Sequence, residues 1–157
     1  MRRLLSIAIL ALMVTINVTL GADNGLGTWK LNLEKTTSSS PAPNPVKSLF
    51  VTREASDGGV KVTVKGERAD GAAINATYTA KYDGVEVPVA GNSAYDLVSL
   101  KQTNADTFTE ERRKTSGSYK ATGLTVISNG GKVMTVTIKG TNTDGKPLTQ
   151  VFILDKQ

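Results

Sequence analysis

The sequence predicts an all-β protein in which about 8–10 strands form an antiparallel up-and-down meander closed into a β-barrel. After residue 21 no stretch shows a sustained helical period, whereas strand patterns recur roughly every ten to thirteen residues. Asp-Gly, Asn-Gly and Ser-Gly pairs separate these patterns, and such pairs supply the positive φ angles of tight hairpins. Apolar and polar residues alternate between the turns, as in an antiparallel sheet with one buried face. A meander of this length tends to close, because closure removes exposed edges.

The alternation identifies the buried face of each early strand. Trp29, Leu31 and Leu33 share one face of the first strand. The next two clear patterns place Val60, Val62 and Val64 on one face, followed by Ile74, Ala76, Tyr78 and Ala80. Later strands are predicted at about residues 95–103, 107–114, 118–128, 132–140 and 147–155.

Two segments of the chain repeat the same pattern. Residues 62–66 read VTVKG and are followed by Asp-Gly at 70–71, and residues 136–140 read VTIKG and are followed by Asp-Gly at 144–145. The same offset aligns the strand carrying Tyr78 with the strand carrying Phe152. We interpret the two segments as related hairpins, with convergent turn chemistry as the alternative.

The chain divides into a signal peptide at residues 1–21 and a single domain at residues 22–157. Arg2 and Arg3 precede an apolar stretch, and the small residues Gly21 and Ala22 offer a cleavage point. The protein is therefore expected to be exported to the periplasm or the extracellular space. An uncleaved anchor is the alternative, since about seventeen mostly apolar residues can just span a bilayer. The Ser- and Pro-rich segment 35–45 predicts an extended loop, either a surface excursion or a lid over the barrel mouth.

The composition restricts the chemistry that this chain can perform. It contains no cysteine and no histidine, so it lacks a thiol nucleophile, an imidazole base and the usual zinc ligands. The formal net charge is +5, but the basic residues are spread along the strands with few aromatics between them, which argues against a nucleic-acid surface. We therefore expect a protein that is not an enzyme, with no catalytic residue, metal, cofactor or nucleic-acid partner. No stable membrane anchor is expected after cleavage, and the sequence predicts no particular oligomeric state.

Two short motifs connect the chain to a known superfamily. Gly27-Thr28-Trp29 opens the first predicted strand and resembles the G-x-W motif of lipocalins and fatty-acid-binding proteins, together called calycins. In that superfamily the Trp plugs the closed end of the barrel, which implies the same position for Trp29. Thr149-Gln150-Val151-Phe152 falls where fatty-acid-binding proteins carry T-R-V-Y. The resemblance covers nearly all of residues 22–157 and implies a lipocalin-like barrel that binds a small molecule.

The departures from this resemblance predict the kind of ligand. Fatty-acid-binding proteins hold the ligand carboxylate with the Arg and Tyr of that motif, and Gln150 and Phe152 stand in their place here. An amide donates and accepts hydrogen bonds but cannot neutralise a charge. The expected ligand is therefore small, apolar and uncharged, and the candidate ligand-binding residues are Gln150, Phe152, Tyr78, Arg112 and Trp29.

One strand carries charges on both faces. Residues 108–114 read FTEERRK, so Glu110 and Arg112 share one face and Glu111 and Arg113 the other. If the Phe108 face is interior, Arg112 points into the barrel, where it could bind an anionic ligand. A solvated face or an exposed edge explains the same charges without a site. Tyr78 has a similar alternative, since tyrosine is a common packing residue.

Two functions follow from these expectations. The first is a carrier that holds a small apolar molecule in the barrel, above Trp29. The second is a barrel with a filled core that serves a structural or partner-binding role in the cell envelope. A barrel of eight or more strands is compatible with either, because its interior can be filled by side chains or hold one ligand.

Overall fold

A computed structural model describes residues 22–38, 45–91 and 94–157, and all regular secondary structure in these ranges is β-strand. No helix within them has the length and apolar character needed to cross a membrane. The strands are β1 (Gly27–Leu31), β2 (Thr37–Ser38), β3 (Val46–Ser56), β4 (Gly59–Arg68), β5 (Ala73–Lys81), β6 (Val87–Pro88), β7 (Leu97–Asn104), β8 (Thr107–Arg113), β9 (Lys120–Ser128), β10 (Val133–Thr141) and β11 (Pro147–Lys156).

The strands form one antiparallel sheet that wraps into a nearly closed barrel. Its order is β5-β4-β3-β1-β11-β10-β9-β8-β7-β6, so the first strand lies between β3 and the last strand, while β2 continues beside β11. The remaining seam lies between β5 and the edge formed by β6 and β7. Thr77 and Ala90 exchange two N–H···O hydrogen bonds of 2.9 Å across it, and Asp83 forms a bridge with Lys101. The predicted all-β meander and its barrel architecture are confirmed.

Most strand boundaries match the sequence prediction to within a few residues, because they depend on local turn chemistry. Gly71 and Gly145, in two of the predicted Asp-Gly turns, have φ angles of 87° and 76°. The prediction for Leu33 is wrong: β1 ends at Leu31, and Leu33 lies in a turn with 49% of its surface exposed. The backbone carbonyl of Asn32 accepts a hydrogen bond from the Thr36 hydroxyl at 2.8 Å, so the strand alternation stops there.

The two repeated segments form equivalent hairpins. Val62 pairs with Tyr78 in the β4–β5 hairpin, and Val136 pairs with Phe152 in the β10–β11 hairpin. Each hairpin also pairs its glycine with an apolar residue, Gly66 with Ile74 in the first. The register is therefore the same in both hairpins, and in both the larger apolar side chains face the interior.

The interior contains two apolar clusters. The first, which we call the Trp29 cluster, lies at one end of the barrel and consists of Trp29, Leu31, Phe108, Ile127, Met134 and Leu154. The second is larger and includes Val60, Val62, Tyr78, Val98 and Ile138. The predicted signal peptide and most of the Ser- and Pro-rich segment lie outside the described residues.

Candidate functional site

A buried ion pair lies inside the barrel, on the strand that carries charges on both faces. Phe108, Glu110 and Arg112 alternate with exposed residues along β8, so the Phe108 face is the interior one. Arg112 Nη2 lies 2.6 Å from Glu110 Oε1, and the two side chains are 18% and 7% exposed. The solvated-face alternative is therefore wrong for this pair. It describes Arg113 instead, which faces outward and forms an exposed pair with Glu86.

The neighbouring strand provides the room for this ion pair. Gly123 on β9 pairs with Glu110, and a Cβ atom at that position would lie 2.4 Å from Glu110 Cγ and Oε1. No side chain larger than hydrogen fits there unless Glu110 moves. A glycine within a strand often marks such a close approach.

Three tyrosines surround the pair and complete what we call the tyrosine cluster, which consists of Tyr78, Tyr95, Glu110, Arg112 and Tyr119. The rings of Tyr95 and Tyr119 stack with their centroids 5.8 Å apart. The guanidinium carbon of Arg112 lies 4.8 Å from the centroid of the Tyr95 ring, a cation–π contact. The cluster brings together Arg112 and Tyr78, two of the five residues predicted from the sequence.

The electrostatics of the tyrosine cluster keep Arg112 charged and the phenols neutral. Burial alone would lower the pKa of Arg112, but Glu110 and the surrounding phenols outweigh it and raise that pKa well above its ordinary value. Burial raises the pKa of Tyr78 strongly, and the charge of Glu110 adds to this effect. Burial also raises the pKa values of Tyr95 and Tyr119, and the charge of Arg112 partly opposes it. The cluster is polar and has no net charge.

A second polar group lies near the Trp29 cluster, and we call it the Arg53 cluster: Asp23, Arg53, Tyr82 and Phe108. Arg53 Nη2 donates a hydrogen bond of 3.0 Å to the Tyr82 hydroxyl and lies 3.6 Å from Asp23 Oδ2. The Tyr82 hydroxyl donates to the same carboxylate oxygen. The guanidinium carbon of Arg53 also lies 4.8 Å from the centroid of the Phe108 ring.

All four tyrosines of the chain are expected to resist ionisation in the folded protein. Burial is the main cause that raises the pKa of each, Tyr82 included. Above about pH 10 the unfolded chain loses phenolic protons that the native state retains, so the unfolded state binds fewer protons and stability falls as the pH rises. We expect phenolate absorbance to appear together with the loss of circular dichroism, in one alkaline transition. A gradual phenolate signal near pH 10 with unchanged circular dichroism would contradict this expectation, and the chain in urea provides the control.

Trp29 lies away from the tyrosine cluster and belongs to the floor of the barrel. Its side chain is fully buried, and its indole Nε1 donates a hydrogen bond of 2.8 Å to the backbone carbonyl of Gly25. The Lys156 ammonium lies 5.1 Å from the ring centroid. The expected burial of Trp29 is confirmed, whereas its contact with a ligand stays a prediction.

Phe152 and Gln150 lie between the two ends of the barrel. Phe152 packs against both apolar clusters, as do Val51 and Val136. These residues occupy inward positions of their strands but stay partly exposed, as does Gln150. These residues are therefore more exposed than the buried members of either cluster.

The outer surface of the barrel carries an open groove of about 530 Å³ across β7 to β10. Its lining includes Lys101, Glu111, Thr122, Leu124 and Lys139. These five side chains point away from the interior, and the lining also includes Glu110 and Gly123, the paired residues of β8 and β9 at the ion pair. Within the described ranges, no three or more acidic side chains come together as a metal site would require.

Most of the partners in both polar clusters were not predicted from the sequence. Arg53 follows Val51 by two residues in β3, so an inward arginine was indicated by the same alternation that identified Arg112. Tyr95 and Tyr119 lie just outside β7 and β9, where no alternation indicates their direction. Asp23 precedes β1, and only the fold brings it to Arg53.

No protein-family model matches this chain, and no curated protein matches it significantly. The assignment of the architecture therefore depends on the strand order and register themselves. A nearly closed antiparallel barrel, with the first strand paired to the last, is compatible with a calycin-like barrel.

Proposed function

We propose that this protein is an exported, non-enzymatic lipocalin-like carrier that binds a small, apolar, uncharged molecule with a polar group at one end. The observation that carries the proposal is the tyrosine cluster, a polar group without net charge inside the barrel. Export to the periplasm or the extracellular space, with removal of residues 1–21, is part of the same proposal.

The ion pair of this cluster is difficult to explain by stability alone. Taking two charges out of water costs several kcal/mol per ion, and apolar replacements of a buried pair are often neutral or stabilising. The pair is also incompletely satisfied, since Arg112 Nε is buried without a hydrogen-bond partner. An unsatisfied donor in a core costs about 1–3 kcal/mol, and a ligand oxygen would remove that cost.

The shape of the interior supports the same proposal. Phe152, Val51 and Val136 provide apolar surface that is partly exposed between the two apolar clusters. An apolar ligand in contact with these residues would bury that surface, which contributes about 25 cal/mol per Å². Because Glu110 already neutralises Arg112, a neutral polar group suits the site better than a carboxylate.

A binding experiment with two matched probes tests the proposal. A fluorescent fatty alcohol and the fatty acid of the same chain length are titrated into the wild type and into the double variant Glu110→Met/Arg112→Met. We expect the wild type to prefer the alcohol and the double variant to bind it at least tenfold more weakly. The matched control is Glu86→Met/Arg113→Met, which removes the exposed pair of the same strand. Equal alcohol binding by all three proteins would contradict the proposal.

Gln150 provides an independent prediction about the charge of the ligand. Replacing Gln150 with Arg adds an inward cation without a partner, which should favour the fatty acid over the alcohol and lower the stability of the free protein. The control is Thr149→Arg, which adds the same charge on the exposed face of β11. If both variants bind both probes as the wild type does, Gln150 does not line a ligand site.

A filled-core structural or partner-binding barrel is the second candidate. It is favoured by the fully buried side chains of Val60, Val98 and Ile138 and by the groove on the outer surface. In this case neither probe should bind to the wild type. The same titrations therefore distinguish the two functions.

A further inference from the structure

The Arg53 cluster contains a carboxylate supplied by a segment that is not part of the sheet. Residues 22–26, which we call the plug, precede β1 and pass across the Trp29 end of the barrel. Asp23 is the acidic residue of the plug, and its side chain is only 10% exposed. Arg53, on the inward face of β3, is 7% exposed.

The groups around the Asp23 carboxylate are arranged as in a carboxylate-binding site. One of its oxygens accepts a hydrogen bond from the Tyr82 hydroxyl and lies 3.6 Å from Arg53 Nη2. The other accepts a 2.8 Å hydrogen bond from the backbone N–H of Gly25. A guanidinium and a phenol that converge on a carboxylate are charge-assisted donors.

Two features indicate that the site is built by the barrel rather than by the plug. Arg53 lies on β3 and Tyr82 directly follows β5, and Arg53 donates a hydrogen bond to the Tyr82 hydroxyl in which Asp23 takes no part. Arg53 Nε is buried without a hydrogen-bond partner, so Asp23 leaves part of the donor capacity of this arginine unused.

Besides the contacts of Asp23, the plug is attached to the barrel by the hydrogen bond from Trp29 to Gly25, by packing of Leu26 against the second apolar cluster and by further hydrogen bonds. Asn24 forms hydrogen bonds with the backbone of Ala105 and the side chain of Asp106, and Gln102 donates to the carbonyl of Ala22. The hydrogen bond between the Asn24 and Asp106 side chains and the one from Gln102 to Ala22 are both exposed to solvent. The cleavage predicted near Ala22 would leave the plug attached at one end only.

We propose that Arg53 and Tyr82 form a carboxylate-binding site at the Trp29 end of the barrel, and that Asp23 occupies it as an internal substitute for the carboxylate of a small organic acid. An external carboxylate binds by displacing the plug, which opens this end of the barrel. The site is separate from the tyrosine cluster and does not depend on the neutral ligand proposed for the interior.

The site can be tested by rescue of a variant that lacks the internal carboxylate. Asp23→Ala leaves Arg53 without its counter-ion, so acetate should restore stability when sodium chloride at the same ionic strength does not. Above the dissociation constant, each tenfold increase in acetate should lower the unfolding equilibrium constant about tenfold. Recovery in acetate is the readout even if the variant is unfolded in chloride.

Two controls separate this effect from general effects of salt. Asp106→Ala removes another contact of the plug but leaves Arg53 paired, so acetate and chloride should act alike on it. Asp23→Ala/Arg53→Met removes the cation as well and should also show no preference for acetate. Equal effects of acetate and chloride on Asp23→Ala would overturn the site.

Displacement of the plug is tested in the wild type. The Trp29 indole N–H donates to the carbonyl of Gly25, so release of the plug should speed its hydrogen exchange. We expect exchange to increase with acetate concentration and not with chloride. Exchange that is independent of acetate would overturn the displacement.

Discussion

Replacing Glu110 with Met is expected to lower the free energy of unfolding by about 3–5 kcal/mol, because it leaves Arg112 as an unpaired charge inside the barrel. Met is unbranched at Cγ, so it can follow the path of the Glu side chain past Gly123, where space is limited. The loss therefore reports the missing counter-ion rather than a steric clash. Urea denaturation followed by circular dichroism measures it.

The double variant Glu110→Met/Arg112→Met tests whether the loss comes from the unpaired charge. It removes both charges and should recover the stability to within about 1 kcal/mol of the wild type or above it. Glu86→Met is the matched control, since it breaks the exposed pair with Arg113 and should change the stability little. If the double variant is as unstable as Glu110→Met, the ion pair is a structural requirement of the barrel.

Replacing Trp29 with Ala is expected to cost about 3–5 kcal/mol, the usual range for deleting a buried aromatic side chain. Trp29 is fully buried among five apolar side chains of the Trp29 cluster, and the variant also loses the hydrogen bond to Gly25. Urea denaturation of the variant measures the loss. In the wild type the same residue is a reporter, because it is the only Trp of the chain, and its emission should shift to the red on unfolding.

Phe50→Ala is the control for this prediction. Phe50 lies on β3 with 37% of its surface exposed, and its ring contacts the ammonium of Lys30 on the outer face. Its removal should cost about 1 kcal/mol or less. Similar losses for the two variants would mean that the Trp29 cluster does not form the floor of the barrel.

Most of the fold could be predicted because its determinants are local. The alternation in β5 predicts its buried face, and Asp-Gly pairs predict the turns that begin at Asp70 and Asp144. Both signals depend on neighbours within a few residues. The prediction failed at Leu33, where the side-chain-to-backbone hydrogen bond from Thr36 to Asn32 ends the strand earlier than the apolar pattern does.

The candidate site was predictable only in part. Tyr78 was identified because it lies within a long alternating strand, and Arg112 because it shares a face with Phe108. Tyr95 and Tyr119 lie at strand ends, where alternation indicates nothing about direction. Their contacts with Arg112 arise from the closure of the barrel.

The sequence by itself determined an all-β meander with its strands, its hairpins and a buried Trp29, because periodicity and turn chemistry act along the chain. The tertiary structure decided which charges are inside. Both faces of β8 carry a Glu and an Arg, so alternation cannot distinguish Arg112 from Arg113. The interior face is decided by the space that Gly123 leaves for Glu110 and by the contact of the Tyr95 ring with Arg112. Gly123 and Tyr95 both lie on other parts of the chain. In the same way Asp23 and Arg53 are thirty residues apart, and they form an ion pair because the plug passes across the end of the barrel.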